Sequence, residues 1–145
     1  MRFDGEWTDS GDGEVRPLVR GAALGADNRW HEVVFLVDSG ADGTVFSADV
    51  LRKLRLPAEP KERRHSGTGG FFDTVVVQTQ ITLERDDGVR AYFRGEYAAC
   101  TDPETLDMSV LGRDILRMFA VILDQADGVL CLIGGNHRYH IEFVS

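Results

Sequence analysis

Cysteine is nearly absent from this chain: Cys100 and Cys131 are its only two among 145 residues. Two thiols cannot make a disulfide framework, so nothing points to an oxidising compartment, and both read as small buried strand residues. Long apolar runs are missing too. The longest are about five residues, far short of the roughly twenty that span a membrane as a helix. Positive charge is in deficit, with 16 Lys and Arg against 24 Asp and Glu, a net charge of −8. That balance argues against a nucleic-acid backbone as partner, because phosphate binding needs clustered cations. A basic start followed by an apolar stretch is also lacking: Met1 to Glu14 carries Asp4, Glu6, Asp9, Asp12 and Glu14. This is not a signal peptide, and the expected location is cytoplasmic, with no membrane partner.

What is present fits one β-rich domain. The length suffices for a core, and 43% of residues are hydrophobic. Sixteen glycines with many Val, Thr, Tyr and Phe favour strands and turns over long helices. Residues 1–14 read as an acidic, flexible N-terminal segment, and 15–145 as a single domain. Within the first segment, Asp9-Ser10-Gly11-Asp12-Gly13 has turn residues and no apolar strand on either side. Val15 to Leu24 and Trp30 to Val37 read as a hairpin about Gly25-Ala26-Asp27-Asn28. Ser47 sits at a helix N-cap, with Asp49 in the first turn and Val50, Leu51 and Leu54 on one face. Pro57 ends that helix. Arg52 to Arg64 reads as a solvated, flexible approach to a loop. Thr74 to Glu84 and Val89 to Ala99 form a second hairpin about Asp86-Asp87-Gly88. Leu106 to Leu111 is a short strand, Ile115, Met118 and Phe119 share a helical face, and Ala120 to Asp124 pairs with Val129 to Ile133. His137 to Val144 reads as a terminal strand.

The chain is organised around Phe35-Leu36-Val37-Asp38-Ser39-Gly40-Ala41-Asp42-Gly43-Thr44-Val45-Phe46. The apolar run Val33 to Val37 delivers one carboxylate into a tight turn, and Val45-Phe46 takes the chain back inside. An acid at the end of a buried strand is costly unless it is held. Ser39 and Gly40 offer a hydroxyl and close-lying backbone N–H groups, and Asp42 adds a second acid. Two more segments stand out. Gly67-Thr68-Gly69-Gly70-Phe71 is a Gly-rich hairpin tip before a clear strand, of the kind that lets backbone N–H groups approach a substrate and hinge open. Leu111-Gly112-Arg113-Asp114-Ile115-Leu116 opens a short helix near the C-terminus.

These three segments, in this order, resemble the retroviral-type (retropepsin-like) single-domain aspartic proteases. The first resembles the active-site signature, the second the flap tip, and the third the segment opening the family's characteristic helix. The resemblance implies an all-β fold: a closed acid-protease barrel with a flap hairpin, one short helix after the active-site strand and one short C-terminal helix. It implies that Asp38 is catalytic, that Ser39, Gly40, Ala41 and Asp42 support its loop, and that residues 67–71 bind substrate. It further implies that Arg113, beside Gly112, pairs with Asp42 to brace the loop, a contact that suits the guanidinium fork. One Asp38 per chain requires a homodimer with both carboxylates at a two-fold axis, acting on polypeptide with no cofactor. In the family the termini interleave, which makes Met1-Arg2-Phe3 and Ile141-Glu142-Phe143-Val144 interface strands.

Other constellations carry less. Cys131, His137 and His140 do not converge as a zinc site, because His137 and His140 point to opposite faces of a strand and Gly134-Gly135 breaks the register. No Gly-x-Ser-x-Gly is present for a serine hydrolase. The Gly-rich tip lacks the spacing and the Lys-Ser/Thr of a phosphate loop. The alternative to catalysis is a retropepsin-like dimerisation or peptide-binding module that gains affinity by strand addition.

Overall fold

The computed structural model describes residues 1–9, 11–67 and 70–144, with the backbone alone described over 60–73. In chain order the elements are β1 (Arg2–Asp4), β2 (Glu6–Asp9), β3 (Val15–Leu24), β4 (Trp30–Val37), β5 (Val45–Phe46), α1 (Ala48–Leu54), β6 (Glu59–Gly67), β7 (Gly70–Glu84), β8 (Arg90–Ala99), β9 (Ser109–Leu111), α2 (Arg113–Leu116), β10 (Phe119–Asp124) and β11 (Val129–Gly134). Neither helix is long and apolar enough to cross a membrane.

Eight strands form one sheet in the order β2-β3-β4-β9-β5-β8-β7-β6, and a further pairing of β3 with β7 closes six of them into a barrel. Closure needs two backbones to meet at Gly21, which pairs with Leu83. A Cβ there would stand 2.6 Å from the Thr82 carbonyl oxygen, so only glycine fits the seam. The interior is filled by inward-facing residues of alternating strands, among them Val33, Phe35 and Val37 of β4 with Phe46, Ile81, Leu83 and Leu111. The apolar run that leads to Asp38 is therefore buried on one face, while Val34 and Leu36 on the other are only partly covered. Fully burying side chains such as Phe35 and Phe46 is worth about 2–3 kcal/mol each, which anchors both ends of the loop between them.

A second, three-stranded sheet has the order β1-β11-β10. It corrects the expectation of a flexible N-terminus. Arg2–Asp4 pairs with Cys131–Ile133, and Glu6–Asp9 pairs with Val15–Leu18. Phe3 is 1% exposed and meets Phe119 edge-on at 6.0 Å, and the Trp7 indole N–H donates to the Val129 carbonyl at 2.9 Å. These two aromatics pull an otherwise acidic stretch onto the fold.

Further differences have local causes. Arg52 to Arg64 is not a loop approach throughout: β6 begins at Glu59, because β7 supplies a pairing edge for a segment with no apolar alternation of its own. α2 is only one turn, so Met118 is exposed rather than packed on a helical face, and Phe119 already starts β10. Residues 136–144 form no strand, and Ile141, Phe143 and Val144 stand exposed, without a strand partner among the described residues. Ser47 does occupy the N-cap of α1, but without a side-chain cap bond. Its hydroxyl instead accepts from Ser109 at 3.3 Å, tying the helix start to β9.

Candidate active site

Asp38 directly follows β4, and its backbone N–H donates to the Leu111 carbonyl at 3.1 Å. β4 and β9 run parallel here, with Val37 opposite Leu111. The chain then turns: Ala41 N–H donates to the Asp38 carbonyl at 3.2 Å, and Gly40 N–H donates to Asp38 Oδ1 at 2.9 Å. The second bond holds one carboxylate oxygen by a local amide. Asp38 is half-buried, Ser39 and Gly40 are exposed, and Ala41 is buried beneath them. The acid thus sits at the boundary between the packed barrel and solvent.

The loop is held from below by a segment far away in sequence. Arg113 N–H donates to the Ala41 carbonyl at 2.9 Å. The Arg113 guanidinium donates through Nη1 to the Ser39 carbonyl at 2.9 Å and through Nη2 to Asp42 Oδ1. One planar fork therefore clamps the backbone just after Asp38 and the carboxylate four residues beyond it. Gly112 passes so close to Gly43 that a Cβ on it would lie 2.4 Å from the Gly43 carbonyl carbon and oxygen. Both partners at that crossing are backbone, which leaves no side chain to move aside.

Two residues that sequence reasoning did not assign complete the crossing. Thr44, 1% exposed, donates its hydroxyl to Asp114 Oδ1 at 2.7 Å and accepts from Gly112 N–H at 3.1 Å. Asp114 Oδ1 also accepts from Thr44 N–H at 3.0 Å and from Ile115 N–H at 2.9 Å. A polar Thr between Gly43 and buried Val45, and an acid in the first turn after Gly112-Arg113, were the available signals. Asp114 is felt inside the barrel as well. The Tyr97 phenol is pushed up to about 12, first by burial and then by the Asp114 charge.

The expected loop residues 38–42 thus converge with Gly112 and Arg113. The expected hairpin tip is seen in part: the backbone pairs Gly67 with Gly70 and Ser66 with Phe71, while Thr68 and Gly69 lie outside the described residues. Among the described residues, no three His, Cys, Asp or Glu side chains gather as a metal site. The thiol of Cys131 is buried, the ring of His137 contacts the Ile133 carbonyl, and His140 pairs with Glu142.

A retropepsin-like aspartic protease from Rickettsia conorii has a similar structure, with a TM-score of 0.57 over 91% of each chain at 17% identity. EIAV protease complexed with the inhibitor HBY-793 matches at a TM-score of 0.44 and 22% identity, over 76% of this chain and 92% of that one. No curated protein matches. The first likeness speaks for the fold, an all-β acid-protease barrel. The family profile described as aspartyl protease matches residues 25–115, a span holding both the Asp38 loop and the Gly112-Arg113-Asp114 segment that clamps it, and the chain belongs to the aspartyl protease family.

Proposed function

We propose that this chain is an aspartic endopeptidase that hydrolyses peptide bonds as a homodimer, with water activated between two Asp38 carboxylates. The observation that carries this reading is the placement of Asp38: half-exposed at the end of a core strand, on a loop clamped by Arg113 and by the Gly112–Gly43 crossing. A loop held this tightly keeps a reacting group in position, which is worth large factors in rate.

The chemistry needs two carboxylates in different protonation states. One, ionised, takes a proton from water as the water attacks the peptide carbonyl. The other, neutral, donates a hydrogen bond to the carbonyl oxygen as negative charge develops there. Two like carboxylates in contact share one proton and titrate as a pair. Each chain supplies one Asp38, so the site requires a second copy. Support for a self-complementary face comes from β10, which among the described residues pairs only with β11 and exposes Ile122 and Leu123, with Met118 exposed just before it. The exposed apolar residues of the tail, Ile141, Phe143 and Val144, support a role there too. Ser39 hydroxyls are read as bonding across the axis. The β6–β7 hairpin is read as the flap, with residues 67–71 closing over substrate, and residues 15–145 with the two N-terminal strands as one domain.

The test is cleavage of a diverse peptide mixture from acid to neutral pH, read by mass spectrometry, at several protein concentrations. Wild type is run beside Asp38→Asn. Cleavage by wild type alone, with specific activity falling on dilution as the dimer dissociates, supports the reading. A folded, dimeric wild type that cuts nothing at any pH refutes catalysis and leaves a peptide-binding module. Specific activity that is independent of concentration over a wide range refutes the shared site.

A further inference from the structure

The outer face of the barrel carries a buried polar group that the Asp38 site does not use. Ile81 and Leu83 point into the core, so Thr82 between them faces outward. Thr82 is nevertheless only 4% exposed, and its hydroxyl is the one fully buried side-chain polar atom without a hydrogen-bond partner among the described residues. In the sheet it lies between Ala22 of β3 and Tyr92 of β8. Residues directly opposite one another share a face, so both point outward with it. Trp30 of β4 stands on the same side, opposite Leu24.

Trp30 and Tyr92 are separated by β3 and β7, yet their ring centroids are 5.9 Å apart and their planes tilted by 53°. The rings lean toward each other over the small side chains of Ala22 and Thr82 and roof the hydroxyl. Both are partly in solvent, 37% and 55% exposed, and surface rings of this kind change rotamer within nanoseconds. Parting them uncovers a hydroxyl that is costly to leave unpaired. Beyond the roof runs a groove of about 450 Å³ lined by Leu24, Leu56, Gln80 and Arg94. Leu24 is opposite Trp30, and Arg94 follows Tyr92 on the same face, so roof and groove are one surface. From Tyr92 to Glu96 it measures about 13 Å, enough for about four residues of an extended ligand.

The chemistry of this surface picks out its ligand. The Trp30 indole N–H and the Arg94 guanidinium can only donate, and neither has a hydrogen-bond partner among the described residues. The Thr82 hydroxyl also lacks an acceptor. The carboxylates nearby are taken, Glu32 by Arg20 at 3.0 Å and Glu84 by Arg90 at 2.8 Å, so a cationic ligand finds no free counter-charge there. The complement of apolar rings with spare donors is a chain of apolar rings with spare acceptors. Proline supplies that: it has no N–H, and in the polyproline II helix its carbonyls make no internal bonds. We infer that the Trp30–Tyr92 roof and the groove beyond it dock a proline-rich segment of a partner polypeptide, with Trp30 and Thr82 donating to its carbonyls. Aromatic-lined grooves suit such segments because their extended form is already ordered before binding. The groove lies away from Asp38, since Trp30 begins the strand that Asp38 follows and the two are about 26 Å apart along it.

The experiment measures binding of fluorescein-labelled decaproline to the full-length Asp38→Asn protein by fluorescence anisotropy, with a Gly-Ser decamer as control and cellohexaose as competitor. Decaproline is expected to bind saturably and the control not to. Trp30→Ala should weaken binding at least about tenfold, as for an aromatic anchor. Thr82→Val keeps the shape and removes the hydroxyl, and should weaken it about threefold. Circular dichroism checks that each variant is folded, and Tyr92→Ala takes the place of Trp30→Ala if the latter is not. Decaproline that binds no better than the control, or binding that survives either the ring or the hydroxyl variant unchanged, overturns the inference. Cellohexaose that binds where decaproline does not overturns it in favour of a carbohydrate. Because the readout is binding to the Asp38→Asn protein, its outcome is independent of whether wild type cleaves peptides.

Discussion

Asp-Ser-Gly occurs twice in this chain, at residues 9–11 and 38–40, and in each the Asp carboxylate accepts from the amide of the glycine two residues on. Asp9 Oδ1 accepts from Gly11 N–H at 2.8 Å, and Asp38 Oδ1 from Gly40 N–H at 2.9 Å. Each is followed by an acid bonded to an arginine, Asp12 with Arg16 and Asp42 with Arg113. Locally the glycines differ, Gly11 standing at φ +103° where Gly40 is not left-handed, and the larger differences are long-range. Arg16 lies four residues beyond Asp12 and also reaches the exposed Asp107 carboxylate, whereas Arg113 reaches Asp42 from 71 residues away and grips the Ser39 carbonyl of the loop itself. Asp9 ends an edge strand of four residues, and Gly11 has nothing within 4 Å of where its Cβ would be. Asp38 directly follows a core strand, and its loop touches a second backbone at Gly112. Local hydrogen bonding makes a turn, but only tertiary clamping makes that turn a rigid platform for chemistry.

The strongest way to break the comparison is at the two acids. Asp38→Asn is expected to lower peptide cleavage by at least about a thousandfold, the scale of losing a group that acts in the transition state. Asp9→Asn should change it by less than twofold. Equal losses in initial-rate assays would mean that the two turns are not functionally distinct.

The glycines come next. Gly112→Ala forces a Cβ to 2.4 Å from the Gly43 backbone, and is expected to cost about 3 kcal/mol or more, or to prevent folding. Gly11→Ala strains a residue at φ +103° with open space around it, and should cost about 1 kcal/mol. Urea unfolding of both variants measures the gap.

Arg113→Ala separates position from stability. The pair with Asp42 is exposed on both sides, 51% and 73%, so its own contribution to stability is under about 1 kcal/mol. Releasing the Ser39 carbonyl lets the Asp38 loop shift, and cleavage should fall about ten- to a hundredfold. Arg16→Ala should lower stability by a similar small amount without that loss of rate. Parallel melting and rate measurements on both variants decide the point.

The smallest effect is electrostatic. The Glu14 N–H, with Arg16 as a lesser cause, holds the Asp12 carboxyl below its ordinary value. A carboxyl whose folded pKa is depressed stabilises the fold above its unfolded pKa, near 3.8, and loses that contribution as pH falls through the folded value. Wild type and Asp12→Asn should therefore differ slightly in urea midpoint at neutral pH and converge below about pH 4. A difference that widens on acidification would contradict this assignment.

Much of this molecule could be read in one dimension because it follows from local periodicity. Val15 to Leu24 and Trp30 to Val37 have strand bounds that match the structure, as their alternating apolar content and the turn at residues 25–28 dictate. Pro57 does lie beyond a short helix, which Arg55 closes in the left-handed conformation. The Asp38 turn and the Gly112-Arg113-Asp114 segment were legible as separate motifs. What could not be read were elements whose stability comes from a partner strand. β1 and β2 look like acidic coil until β11 and β3 give them an edge, and β6 has no apolar pattern at all. The tail erred in the other direction: Tyr139, Ile141 and Phe143 alternate like a strand, yet no strand among the described residues pairs with them.

The sequence by itself determined where the turns fall, which strands build the barrel wall, and that one acid sits at the end of an apolar run. Those features depend on side-chain type and spacing within about ten residues. Only the tertiary structure decided which of the two Asp-Ser-Gly segments is clamped, and that Thr44 and Asp114 join the crossing. Those depend on two backbones separated by some seventy residues approaching to within contact, a distance that no local pattern encodes.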